Sequence, residues 1–61
     1  MGVSAMDDIT FSIVGEEYVF KANTPKGRMW MGSPEIVMPL EDGKAYRESA
    51  ANAGLIVKAF P

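Results

Sequence analysis

The sequence predicts an α+β domain in the order β-β-β-α-β, with an antiparallel sheet of three to four strands and one helix packed on one face. Three observations predict it. Alternating runs of β-branched and aromatic residues stand early in the chain, glycine-bearing turns separate them at hairpin spacing, and an alanine-rich stretch with helical spacing follows.

The first run, "ITFSIV" (residues 9–14), alternates and reads as a strand, and "EYVFKAN" (residues 17–23) reads as its partner. Between them Gly15-Glu16 forms a two-residue loop whose leading glycine suits a type II′ hairpin turn. That turn fixes a register: Ile13 opposite Tyr18, Phe11 opposite Phe20, Ile9 opposite Ala22. Next, "TPKG" (residues 24–27) offers proline at the second position of a type I turn and glycine where a left-handed residue closes a three-residue loop. On that reading "RMWM" (residues 28–31) is a third strand, pairing Ala22 with Trp30 and Phe20 with Gly32. Ile9, Phe11, Ile13, Tyr18, Phe20, Ala22 and Trp30 then share one face. Thr10, Ser12, Val14, Val19, Lys21, Asn23, Met29 and Met31 share the other.

Residues 33–41 admit two conformations. Ser33-Pro34-Glu35 suits the start of a short helical turn ended by Pro39, and the same residues suit an extended connector. From Asp42 as N-cap to Gly54 as C′ residue the chain reads as a helix. Tyr46, Ser49, Ala50 and Ala53 fall on one face with Ala45 beside them, a small-residue stripe that fits over aromatic rings. Finally "LIVKAF" (residues 55–60) reads as a short strand with Leu55, Val57 and Ala59 toward the helix. Its place in the sheet, beside the first strand or the third, stays open.

Length and composition set the bounds on function. A chain of 61 residues is one small domain. A domain of this size buries only about 60% of the surface its unfolded chain exposes, so its stability is marginal. With no cysteine and no histidine there is no disulfide, no thiolate metal site and no imidazole base. No metal site and no cofactor is expected. Residues 1–6 read as a flexible tail and 7–61 as the domain. No secretory leader and no membrane-spanning run is visible, which predicts a cytoplasmic protein without membrane contact.

Catalysis has no candidate residues. The acid pairs Asp7–Asp8, Glu16–Glu17 and Glu41–Asp42 fall at turns and caps, and the serines have no histidine to activate them. The six glycines match no phosphate-binding pattern. The expectation is a non-enzyme, a module that binds another macromolecule.

Two surfaces compete for that role. One helix on one face leaves the other sheet face bare, carrying Val14, Val19, Met29, Met31, Ile56 and Phe60 as interface candidates. Burying such a patch suits self-association as a two-fold dimer or the docking of a protein partner. Either edge strand also offers its backbone to a partner strand. The alternative is a nucleic-acid-binding hairpin. The net charge is −2, yet residues 21–34 hold Lys21, Lys26 and Arg28 with no acid. Three charges give only a weak electrostatic attraction to phosphates, so nucleic acid ranks second.

Overall fold

The computed structural model describes residues 7–56. The predicted tail (1–6) and most of the predicted last strand (57–60) lie outside the described residues. Within them the order is β1 (Ile9–Val14), β2 (Glu17–Ala22), α1 (Pro25–Met31), β3 (Glu35–Pro39) and α2 (Leu40–Asn52). The three strands form one antiparallel sheet in the order β1-β2-β3. The chain is thus α+β, with two helices rather than one.

The first hairpin has the predicted register: Ile9 opposite Ala22, Phe11 opposite Phe20, Ile13 opposite Tyr18. Gly15 has φ of 63°, and no non-glycine residue among the described residues has positive φ. A positive φ at the first loop position alone is what separates a type II′ turn from type I′.

The second hairpin is replaced by a helix. Thr24 is the N-cap of α1, its hydroxyl accepting the Gly27 N–H at 3.1 Å, and Pro25 occupies the first turn. Proline there lacks only an N–H the helix leaves unpaired. The same hydroxyl donates to Asp8 Oδ1 at 2.6 Å, tying α1 to the start of β1. Gly27 is buried against the Asp8 backbone, where a β-carbon would collide with the carbonyl oxygen. Gly32 closes the helix in the left-handed region at φ 76°, its N–H donating to the Arg28 carbonyl at 2.7 Å. The predicted pairs Ala22–Trp30 and Phe20–Gly32 therefore do not form. Phe20 pairs with Ile36, and the third strand comes from the stretch left open, Glu35–Pro39.

Helix α2 starts two residues before Asp42, with Pro39 as N-cap, and Glu41 and Asp42 lie in its first turn, where the helix dipole favours acids. Its other end is as predicted. Gly54 has φ of 81°, its N–H donates to the Ala51 carbonyl, and the Leu55 N–H donates to the Ala50 carbonyl. The inward stripe is Gly43, Tyr46 and Ala50. Ala45, Ser49 and Ala53 are exposed. Gly43 sets this rotation: a β-carbon there would enter the Tyr18 ring, so the helix rests its glycine on the tyrosine.

The core is Ile9, Tyr18, Phe20, Ala50, Leu55 and Ile56, flanked by Met31, Met38, Leu40 and Tyr46. The Phe20 ring lies 5.3 Å from Tyr18, stacked, and 4.9 Å from Tyr46, edge-on. Trp30 continues the series 5.3 Å from Tyr46, so α1 and α2 lie on the same side of the sheet. Trp30 is on that side, as predicted, but on a helix and 40% exposed. Leu55 and Ile56 are not strand; the Leu55 carbonyl accepts the Ile9 N–H at 3.2 Å, which brings this end of the chain to β1 rather than β3.

Candidate interaction surface

With both helices on one side, the opposite face is built from the alternate residues of the three strands. Its composition follows from the register. Thr10, Lys21 and Glu35 form one row across β1, β2 and β3. Ser12, Val19 and Val37 form the middle row, and Val14, Glu17 and Pro39 the last. Directly paired residues lie about 4.5–5.5 Å apart at Cβ, and diagonal ones about 7–8 Å. Val19 thus stands at the centre, beside Val37 and diagonal to Val14 and Pro39. Val14 is 62% exposed and Val37 51%. The apolar strip bends across the face, from Val14 on β1 through Val19 and Val37 to Pro39 on β3, and Lys21 and Glu17 stand on either side of Val19 along β2.

The predicted interface residues divide. Val14 and Val19 lie on the outer face. Met29 and Met31 do not, because their segment is α1: Met29 is 84% exposed on the helix and Met31 packs against the core. Ile56 is buried beside Ile9 in the core rather than turned outward. Phe60 lies outside the described residues. Val37 and Pro39 join the outer face from the 33–41 stretch, whose sequence suits a helical turn and an extended connector equally. The signal was present: Ile36-Val37-Met38 is a short apolar run bounded by Pro34 and Pro39.

The basic residues are not gathered on a hairpin tip. Lys21 is on the outer sheet face between Thr10 and Glu35. Lys26 and Arg28 are exposed on α1, two positions apart and hence on different sides of that helix. The hairpin that was to enter a groove does not exist.

Three of the acidic residues and Ser33 have visible structural roles. Asp8 receives the Thr24 hydroxyl, and Glu41 and Asp42 open α2. Ser33 Oγ donates to the Glu35 carbonyl at 3.0 Å and accepts the Glu35 N–H at 3.5 Å. No group of three or more His, Cys, Asp or Glu among the described residues could hold a metal ion. No helix of the described residues is long and apolar enough to cross a membrane.

The two sheet edges differ. In antiparallel pairs the hydrogen bonds alternate, and the Asn23 N–H to Asp8 carbonyl bond sets the phase on β1. Ile9, Phe11 and Ile13 therefore turn their backbone groups outward, and Ile9 uses its N–H on Leu55. On β3 the Ala22 N–H to Pro34 carbonyl bond leaves Glu35, Val37 and Pro39 facing outward. Ser33 occupies Glu35, and Pro39 has no N–H, so β3 is a blunted edge. On the helix side of β1, Phe11 is partly roofed by Arg47, whose guanidinium carbon lies 5.2 Å from the ring centroid and whose Nη1 donates to the Tyr18 hydroxyl at 3.3 Å.

Burial pushes the Tyr46 phenol above its ordinary range near 10. The ring lies between Phe20 and Trp30, where the charged form loses its hydration. Comparison of the chain with protein-family models, with curated proteins and with solved structures finds no match in any of the three.

Proposed function

We propose that this chain is a small non-catalytic interaction module that self-associates through the outer face of its sheet. The observation that carries the reading is the one-sided placement of the helices. It leaves Val14, Val19, Val37 and Pro39 as a connected strip with no described element over it. The acids add to the non-catalytic reading, because Asp8 accepts the hydroxyl of the α1 N-cap and Glu41 and Asp42 lie in the first turn of α2.

The size of the face sets the strength of the association. Three strands by five residues cover about 250 Å² in outline, against the roughly 800 Å² of accessible surface per partner in a stable complex. A weak, exchanging dimer follows, not a permanent one. Sedimentation equilibrium from about 10 μM to about 1 mM spans the range in which such a contact assembles. The expected result is a mass rising from one chain toward two, abolished by Val19→Lys with no loss of thermal stability. A mass of one chain at every concentration overturns the reading.

A further inference from the structure

We infer that the second copy is held by a two-fold axis lying across the strands at Val19, so that Lys21 of each chain faces Glu17 of the other. This rests on the self-association proposed above and specifies its geometry. Sheets stacked face to face keep their strand directions within about 30° of each other, with the sheets about 10 Å apart. Two closed two-fold arrangements centre on Val19 under that restriction, and the β2 register distinguishes them.

An axis parallel to the strands keeps each row and exchanges β1 with β3. Lys21 then meets Lys21, and Glu17 meets Glu17. An axis perpendicular to the strands keeps each column and exchanges the first row with the last. Val19 again meets Val19, and Val37 meets Val37. Lys21 now meets Glu17, and by symmetry the contact forms twice. The twist between the sheets splays the corners, where Thr10, Glu35, Val14 and Pro39 stand, and leaves the central column in place. Like charges placed opposite one another across an interface are penalised and opposite charges fix the register. The sequence K-x-V-x-E, read backwards along β2 from Lys21 to Glu17, is therefore self-complementary about Val19.

Charge exchange tests this geometry. Lys21→Glu alone and Glu17→Lys alone each place like charges opposite twice, and each should weaken association about tenfold. Carrying both substitutions in one chain restores opposite charges across the perpendicular axis and should return the dissociation constant to within about threefold of the original. The parallel axis predicts the reverse for the single variants, which would retain like charges at both positions and change little. Thermal melts of all three variants control for changes within one chain. Single variants that dimerise like the parent, or a double variant as weak as the single ones, overturn the two-fold geometry while leaving self-association through this face intact. Failure of the parent chain to associate at any concentration overturns both.

Discussion

The helix side of the sheet carries six β-branched or aromatic residues and the outer face four, none of them aromatic, and only the first holds the molecule together. On the helix side Ile9, Tyr18 and Phe20 are buried, and the rings meet a glycine and an alanine of α2. On the outer side Val14, Val19 and Val37 alternate with charges and hydroxyls and remain partly or largely exposed. The pleat alone does not decide this, since both faces suit a strand. What decides it is small residues on one helix. Gly43 lets α2 approach the Tyr18 ring, and Ala50 keeps the helix close over the same core. The aromatic face is therefore covered around Tyr18 and Phe20, with Phe11 and Ile13 still exposed toward the β1 edge, and the valine face has no described element over it.

Substitutions that strike the closed face should dominate stability. Phe20 is fully buried, and Phe20→Ala should cost about 3–5 kcal/mol. That approaches the whole of what such a domain possesses, so circular dichroism at room temperature should show a largely unfolded chain. Gly43→Ala comes next. A methyl group must displace the Tyr18 ring or lift the helix, an overpacking cost of about 1–3 kcal/mol, read as a lowered urea midpoint. A folded, undiminished Gly43→Ala variant would show that the helix does not rest on Tyr18.

The N-cap that anchors α1 should matter less. Thr24→Ala removes the acceptor for the Gly27 N–H and the donor to Asp8, for about 1 kcal/mol. Thr24→Ser keeps both bonds and should recover most of it. On the outer face, Val37→Thr should change the stability of the single chain by no more than about 0.5 kcal/mol. The contrast between Phe20 and Val37 is the sharpest form of the difference between the faces.

Tyr46 adds a pH signature to the closed face. Its phenol is raised by burial, so the folded state favours the neutral form. The unfolded chain ionises first, and the stability supplied by the buried neutral phenol is present below about pH 10 and lost as pH rises through the folded pKa. The alkaline decline in melting temperature should be shallower in Tyr46→Phe. An ultraviolet titration should show a late-ionising phenol that disappears in Tyr46→Phe.

Much of this was legible in the sequence and some was not, for identifiable reasons. The β1–β2 hairpin was readable because Gly15 and the alternation of 9–14 with 17–22 specify the same register independently. The Schellman end of α2 was readable from Gly54. The α1 segment was misread because Thr-Pro-Lys-Gly satisfies two local grammars, a type I turn and a capped helix start. The β preference of Met-Trp-Met favoured the turn. The structure shows the stronger constraints, the Thr24 hydroxyl bridging to Asp8 and Gly27 packed on the Asp8 backbone. Neither contact exists within the segment itself, so no local reading reaches it. The outer face was foreseen as bare, but three of its nine residues, Glu35, Val37 and Pro39, come from the 33–41 stretch, and Met29, Met31 and Ile56 lie elsewhere.

Self-association as proposed brings the chain to its own copy through the valine face and not through the helix side. A dilution series followed by amide chemical shifts tests it most directly, residue by residue. The expected shifts move with concentration at Val14, Glu17, Val19, Lys21 and Val37 and stay fixed at Phe20, Tyr46 and Ala50. Shifts that are independent of concentration everywhere, or that move at Phe11, Ile13 and Arg47 instead, would contradict it.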